Sequence, residues 1–200
     1  MILEVSNYMQ WGGSLLIAVL AFMSARHRNL TTILIGFYGA GSAIFQLAQS
    51  SSRSLYKNTI GDIFVLFETI LLLFVFHQAF QEKKLKAVVL TFVFFYLIVY
   101  SLLLFHPDFR STVRTIRDLL MIIHSLIYFF WLIRNLPEDN LLGIPTFWIS
   151  SAILFFFSST FILSLTMNYI ATILRDDFIL YWSFRNFLRF LFCSIICFGL

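Results

Sequence analysis

Long apolar runs separated by short polar breaks constrain this chain more than any other feature. A helix needs about 20 mostly apolar residues to cross roughly 30 Å of hydrocarbon. Seven stretches reach or approach that length: 8–25, 30–49, 60–80, 85–105, 112–133, 145–167 and 178–200. The breaks are short, so successive segments must run antiparallel. The sequence predicts an all-α, polytopic membrane protein with seven transmembrane helices in a single domain, residues 1–200.

Composition supports a lipid-embedded chain. Hydrophobic residues make up 60% of the sequence and charged residues 12%, and the mean hydropathy is +0.89, far outside the range of soluble domains. A membrane β-barrel would instead show strands of about 10 residues alternating polar and apolar positions. The small net charge of +4 lies mostly in short loops, without a basic run interleaved with aromatics. We therefore expect contact with a lipid bilayer and no nucleic-acid binding.

The distribution of lysine and arginine among the loops indicates the orientation, because cytoplasmic loops carry an excess of both. An N-terminus outside the membrane places the larger set on the cytoplasmic side: Arg26, Arg28, Lys83, Lys84, Lys86 and Arg134. The outer loops then hold Arg53, Lys57, Arg110 and Arg175, with Arg114 added if the fifth helix starts late. The predicted orientation is N-terminus outside and C-terminus inside.

Small residues are concentrated in the second segment. Gly36 and Ala40, and likewise Gly39 and Ala43, are four residues apart, a spacing that lets two helix backbones approach closely. Such a face can pack inside the bundle or against a second copy of the chain. We favour the inside of the bundle and keep a homodimer as the alternative.

Charged residues inside the apolar runs are the chemistry this sequence offers. A charge at bilayer depth is costly, so each one is a functional-site hypothesis by default. Glu68 lies in the third segment, and Arg185 and Arg189 lie in the seventh. The fifth segment adds four more polar residues. The candidate site comprises Glu68, Arg114, Arg117, Asp118, His124, Arg185 and Arg189.

Depth along the helices predicts which of these side chains meet. Segments three, five and seven run in the same direction, and a helix rises 1.5 Å per residue. Glu68 is then about 12 Å below the outer end of its segment and Arg185 about 10 Å below its own, with Asp118 at about 9 Å. Arg189 and His124 are both about 17 Å down. We expect Glu68 to pair with Arg185, and Asp118 or a ligand to engage Arg189.

Three interpretations of the cluster stay open. It is a structural ion-pair network, a pocket open to the outer face in which arginines hold a small anionic or polar ligand, or a proton or ion path through Glu68, Asp118 and His124. Hydroxyls of the sixth segment, including Ser151 and Ser158, are candidates to line the same interior.

Several classes of membrane protein are disfavoured. A retinal protein needs a lysine in its last helix, and a seven-helix zinc hydrolase needs histidines there; residues 178–200 contain neither. Phosphate-loop, dinucleotide-binding and Ser-His-Asp signatures are missing from the sequence, as is metal-ligand spacing. We expect a non-enzymatic protein without cofactor or metal.

Two short motifs carry a family resemblance over the last third of the chain. Phe147-Trp148-Ile149-Ser150-Ser151 opens the sixth segment, and Tyr181-Trp182-Ser183 is followed by Asn186 in the seventh. In these motifs the chain resembles small seven-helix membrane modules found ahead of bacterial histidine kinases. The resemblance implies a sensor of the bacterial inner membrane.

Signal output would need a separate partner or a further region outside this sequence, because no kinase or coiled coil follows Leu200 here. A separate cytoplasmic kinase or regulator is the expected partner. The alternative functions are a small transporter or proton-coupled carrier, and thirdly a lipid-modifying enzyme.

Overall fold

The computed structural model describes residues 2–24, 30–51, 54–105, 110–135, 141–173 and 178–200. Throughout these ranges the backbone is helical apart from a few residues at helix junctions and at the chain end, and it forms no strand. The predicted all-α class is confirmed.

Each predicted segment corresponds to one α-helix. The helices are α1 (Ile2–Ser24), α2 (Leu30–Ser51), α3 (Ser54–Ala79), α4 (Lys83–Phe105), α5 (Arg110–Asn135), α6 (Pro145–Ile173) and α7 (Phe178–Gly199). A short 3-10 helix, Leu141–Gly143, precedes α6. Pro145 suits the first position of α6, because a helix leaves that N–H without an internal partner anyway.

Several helices extend past the apolar runs that predicted them. α1 begins at residue 2 rather than 8, α3 begins at 54 rather than 60, and α6 ends at 173 rather than 167. The added turns contain polar residues, which a helix accommodates readily but an apolar-run criterion rejects. The helix count was therefore predictable, whereas the helix ends were not.

Five helices, α2 to α6, are long and apolar enough over the described residues to cross a membrane. Their outward-facing apolar side chains are suited to contact with lipid. α7 carries Arg185, Asn186 and Arg189 among its apolar residues, which lowers its hydropathy. The architecture is a helical, membrane-type bundle.

The helices form a closed ring with one helix outside it. α1 packs between α2 and α7, α6 packs between α5 and α7, and α3 contacts both α2 and α5. α4 packs on the outside of α3 and α5. It is correspondingly rich in exposed apolar side chains: Val88, Leu90, Phe94, Phe95, Leu97 and Ile98.

Small residues bring α1 and α2 into close contact. A Cβ atom added at Gly39 would lie 2.7 Å from the backbone oxygen of Ser14 and the same distance from the backbone nitrogen of Ala18. The hydroxyls of Ser14 and Ser42 bond each other at 3.1 Å beside this contact. Gly36 likewise faces α1. The glycines of the small-residue face thus pack inside the bundle, as favoured above.

Aromatic side chains fill the bundle near the C-terminal ends of α3 and α5. The Phe80 ring meets Trp131 edge-on at 6.1 Å, and Tyr128 lies 6.0 Å from Phe80 and 6.3 Å from Phe76. The Tyr128 hydroxyl is hydrogen-bonded to Thr146 at 2.7 Å, which satisfies its polar end. This aromatic layer fills the interior where α3 and α5 end, whereas the buried charged residues lie near the middle of α3 and α7 and toward the start of α5.

Candidate functional site

Glu68 of α3 is the centre of a buried ion-pair network. Its side chain is 1% exposed, and each carboxylate oxygen receives an arginine. Arg117 of α5 donates from Nη1 to Oε2 at 3.0 Å, and Arg189 of α7 donates from Nη2 to Oε1. One carboxylate therefore joins three helices.

Tyr38 of α2 completes the environment of Glu68. Its hydroxyl donates to Oε1 of Glu68 at 3.0 Å and accepts a hydrogen bond from Nη2 of Arg189 at 2.7 Å. The ring packs edge-on against Phe192 with centroids 5.7 Å apart. Sequence reasoning missed this residue. A usable signal existed, since a tyrosine hydroxyl at membrane depth requires a hydrogen-bond partner.

Asp118 extends the network toward α6. Arg117 donates to its Oδ1 from Nε at 2.9 Å and from Nη2 at 2.6 Å, although the two residues are neighbours in sequence. The Ser164 hydroxyl approaches Oδ2 at 3.5 Å. The network thus reaches α2, α3, α5, α6 and α7. Its two carboxylates and two guanidinium groups balance in charge, which offsets part of the cost of burying them.

Aromatic rings flank both guanidinium groups. The Arg117 guanidinium lies 5.2 Å from the Phe157 ring centroid. That of Arg189 lies 4.8 Å from Phe64 and 5.5 Å from Phe156. A cation over a ring face is stabilised by the ring quadrupole, most strongly where water is excluded. These rings also restrict the orientation of each guanidinium plane.

The predicted pairing of Glu68 with Arg185 is wrong, because Arg189, one turn further along α7, is its partner on that helix. The early start of α3 contributes to the error, although distance along a helix does not by itself select a partner, since Arg117 is only about 10 Å along α5 and still bonds Glu68. Counted from residue 54, Glu68 is about 21 Å along its helix. Arg189 is about 17 Å along α7 and Arg185 only about 10 Å, so Arg189 matches the depth of Glu68 better.

The second predicted pairing is also corrected. Asp118 or a ligand was expected to engage Arg189; the structure pairs Asp118 with Arg117 of its own helix, and the ligand alternative stays a prediction. An arginine side chain is long enough to turn back onto the next residue, a geometry that helix-face reasoning does not consider.

A small cavity of about 20 Å³ adjoins the network. It lies toward the end of the bundle where α5 and α7 begin and α6 ends. Its lining residues are Arg114, Arg117, Asp118, Thr160, Leu163, Ser164 and Arg185. Arg117 and Asp118 thus belong to both the network and the cavity wall.

The other two arginines of the cavity each have an identified neighbour. Arg114 donates from Nη2 to Oδ1 of Asp62 at 3.3 Å, a partly exposed ion pair between α5 and α3. The Arg185 guanidinium lies 5.3 Å from the Trp182 ring, one turn earlier on α7. Asp62 was not among the predicted site residues.

The hydroxyls of α6 are arranged differently from expectation. Ser151 donates to the backbone oxygen of Phe147, four residues earlier in α6, at 2.8 Å, so its hydroxyl is engaged within its own helix. Thr160 and Ser164 line the cavity instead. Ser158 is half-buried on the same helix and is not among the cavity-lining residues.

His124 is buried but lies apart from the charges. Its Nδ1 bonds the backbone oxygen of Leu120 at 2.7 Å, and because a carbonyl only accepts, Nδ1 carries the hydrogen. The ring packs against Phe92 at 4.9 Å and Phe76 at 5.8 Å. Of the seven predicted residues, the structure therefore gathers six around the network and cavity and leaves His124 in an aromatic setting.

In the described part of the chain, no group of three or more His, Cys, Asp or Glu side chains comes together in a way that could hold a metal ion. In comparisons with known proteins, no family model, curated protein or solved structure matches this chain. Its function must be inferred from its own residues.

Proposed function

We propose that this chain is a non-enzymatic, receptor-like sensor of the bacterial inner membrane. It binds a small anionic or polar ligand in the cavity beside Arg117 and passes a helix shift to a cytoplasmic kinase or regulator. All seven helices span the bilayer in this proposal, with the N-terminus outside.

One observation carries the proposal: Arg117 and Asp118 line the cavity and also belong to the network. A ligand that bonds Arg117 competes with Asp118 for the same guanidinium. Any loss or rotation of that bond changes the hydrogen bonds of Glu68, which are shared with α2 and α7. A ligand shifts a conformational equilibrium by its differential affinity for the two states, and this shared guanidinium supplies such a difference.

The proposed orientation suits a receptor for an external ligand. With the N-terminus outside, α5 and α7 begin at the outer face, so the cavity is nearer to that side. The aromatic layer of Phe80, Tyr128 and Trp131 then fills the cytoplasmic half. Close packing there favours transmission of movement over passage of solute, because packed interiors transmit strain.

A distance measurement tests the proposal directly. Spin labels at Ile133 and Phe198, both exposed near the inner ends of α5 and α7, report movement between those helices. We expect a ligand that stabilises the detergent-purified protein against heat to change the label separation, and Arg117→Gln to abolish that change. An unchanged separation at saturating ligand would contradict the sensor proposal.

A carrier is the second candidate, and the observation that favours it is the fully buried acid Glu68 in a membrane-length helix. Reconstituted liposomes separate the two functions. A sensor gives no more solute or proton flux than empty liposomes. Flux that Glu68→Gln abolishes, while Arg134→Gln at the far end of α5 leaves it intact, would replace the sensor by the carrier.

A further inference from the structure

We infer that α4 binds an anionic phospholipid along its exposed face, the surface that starts with Lys83 and Lys84. The lysines hold the headgroup phosphate, and the apolar side chains that follow them contact an acyl chain. None of the cavity-lining residues belongs to α4, so the inference does not depend on the proposed sensor. It is carried by the position of α4, by the order of residues along its exposed face and by the charge at this end of the bundle.

Of the five helices of membrane-crossing length, α4 has the most exposed span. It packs on α3 and α5 from outside the ring. Only 22% of its apolar span is buried, whereas the spans of the other four helices are 39% to 50% buried. Much of the surface of α4 therefore faces the surroundings of the bundle, which in a membrane are lipid.

Columns of exposed side chains run along α4, and each starts with a lysine. A helix places residues three and four apart on one face. The first exposed column is Lys83, Ala87, Leu90, Phe94 and Leu97. A neighbouring exposed column starts with Lys84 and continues through Val88 and Phe95. A cation followed by apolar groups is the order that complements a phospholipid, with its charged headgroup followed by acyl chains.

The dimensions of the column match one leaflet of a bilayer. Phe94 comes 11 residues after Lys83, which is about 16 Å along the helix. Half of a hydrocarbon core of about 30 Å is about 15 Å. A lysine stem can lie along apolar surface while its ammonium group stays at the headgroup level. A lipid whose phosphate meets Lys83 therefore extends its acyl chain to about the level of Phe94.

The charge at this end of the bundle favours an anion. The three connections here, α1–α2, α3–α4 and α5–α6, contain with their adjoining helix ends six basic residues: Arg26, Arg28, Lys83, Lys84, Lys86 and Arg134. The same stretches contain three acidic residues: Glu82, Glu138 and Asp139. The count covers every residue of these connections. Cations therefore remain in excess even if each acid pairs with one of them.

An anionic phospholipid satisfies both features of the exposed α4 face. Clustered lysines beside a membrane span attract anionic headgroups. Acyl chains cover the apolar column, in which Leu90 is 48% exposed and Phe94 67%. A free phosphate or a soluble acidic protein would meet the lysines and leave that column uncovered. With the N-terminus outside, this end of α4 faces the cytoplasmic leaflet, which carries a negative surface potential.

Lipid selectivity can be measured by native mass spectrometry of the purified protein in neutral detergent micelles. The probes are phosphatidylglycerol and phosphatidylcholine with identical acyl chains, added in equal amounts. Each lysine near an anionic surface contributes roughly fivefold to binding, so we expect at least a tenfold preference for phosphatidylglycerol. Equal binding of the two lipids would overturn the inference. So would displacement of phosphatidylglycerol by an equal concentration of glycerol phosphate, because that result would indicate a site for free phosphate.

Two triple variants test whether the lysines of α4 carry the preference. Lys83→Gln, Lys84→Gln and Lys86→Gln together should abolish it, whereas arginine at the same three positions should keep it. The matched control removes three cations from the opposite side of the predicted topology: Arg53→Gln, Lys57→Gln and Arg110→Gln. It should leave the preference unchanged, and an equal loss in both glutamine variants would show that net charge alone is responsible.

Unfolding midpoints in the same micelles establish that each variant is folded. If the triple glutamine variant of α4 does not fold, Lys84→Gln decides the question alone. It should reduce the preference roughly fivefold, since it removes one of the cations. An unchanged preference in Lys84→Gln would overturn the role of the lysines.

Photocrosslinking locates the lipid on the bundle. Benzoylphenylalanine at Leu90 should capture phosphatidylglycerol in preference to phosphatidylcholine in nanodiscs that contain both in equal amounts. At Ile162, an exposed position of α6, it should capture the two lipids equally. Capture without preference at Leu90, or the same preference at both positions, would overturn the inference. A glutamate-rich peptide that binds the protein while both lipids bind equally would assign the lysines to an acidic protein instead.

Discussion

Arg117 is the residue on which the site depends most. Its Nη1 bonds Glu68, while Nε and Nη2 bond Asp118, so one planar group holds two carboxylates of different helices in fixed positions. A lysine could not do this, because an ammonium is a compact point charge without the rigid fork of a guanidinium. The site is therefore specified by arginine geometry as much as by charge.

The Glu68–Arg189 pair predicts a specific double-mutant result. Glu68→Gln leaves two guanidinium groups short of a buried counter-charge, and breaking such a pair costs roughly 3–5 kcal/mol of unfolding free energy in soluble proteins. Arg189→Gln combined with Glu68→Gln should recover part of the loss. The measurement is denaturation of the purified variants in mixed micelles.

Arg185 supplies the control arginine for this double-mutant cycle. Because Arg189 is the α7 partner of Glu68, the coupling of Glu68→Gln with Arg185→Gln should be clearly smaller. Equal coupling energies for the two arginines would show that the network is arranged differently.

Removing the Tyr38 hydroxyl tests the contribution of a group that sequence reasoning missed. Tyr38→Phe keeps the ring contact with Phe192 and removes one bond to Glu68 and one from Arg189. Leaving buried charged groups short of a hydrogen bond costs about 1–3 kcal/mol. We expect a lower midpoint of thermal unfolding, and Tyr8→Phe, at an exposed tyrosine of α1, should leave it unchanged.

At the scale of helices, the α1–α2 contact depends on backbone approach rather than on side-chain pairing. Gly39 faces the α1 backbone, whereas a Cβ at Gly12 of α1 would meet nothing within 4 Å. These two glycines form a matched pair for mutation, because both are helical and only one is packed.

Alanine substitution should separate the two positions. Gly→Ala in a helix is favourable by about 1 kcal/mol when nothing obstructs the methyl group. Gly12→Ala should leave the thermal midpoint unchanged or raise it. Gly39→Ala should lower it, since its methyl would be 2.7 Å from backbone atoms that cannot rotate away. Similar midpoints for both variants would argue against close α1–α2 packing.

Sequence reasoning predicted the helices but not their registration. Hydropathy marks where a helix crosses apolar surroundings, and all seven segments proved helical. It does not mark polar end turns, so α3 was started too late and Glu68 was matched with Arg185. Burial of the charged cluster followed from the apolar runs alone. Which carboxylate pairs with which arginine depends on the rotation of each helix about its axis and on the arginine side-chain conformations. Neither can be read from a single sequence.

At the scale of the whole molecule, charged and aromatic groups occupy different levels of the interior. The charged groups lie near the middle of α3 and α7 and toward the start of α5, and the Phe80–Tyr128–Trp131 layer lies where α3 and α5 end. Because of this asymmetry, the orientation of the helices in a membrane decides which side of the membrane the cavity is nearer to.

Cysteine labelling determines that orientation. Ser51 ends α2 and Glu82 lies between α3 and α4, and both are exposed. In a background with Cys193 and Cys197 replaced, a membrane-impermeant maleimide added to intact cells should label Ser51→Cys. It should label Glu82→Cys only after the membrane is opened. Labelling of both from the same side would be inconsistent with α3 as a spanning helix.

The ring closes where α1 meets α7, and this has a consequence for biosynthesis. α7 contacts α1 through Asn186, which donates to Asn7 at 2.8 Å and to Ser6 at 3.2 Å, and it also brings Arg189 to Glu68. The ribosome makes α3 before α5 and α7, so Glu68 is synthesised before both of its arginine partners, Arg117 and Arg189. Until α7 is made, the nascent chain is an open arc in which the Glu68 carboxylate lacks the Arg189 guanidinium. Chains that stop before α7 keep that incompletely neutralised carboxylate permanently.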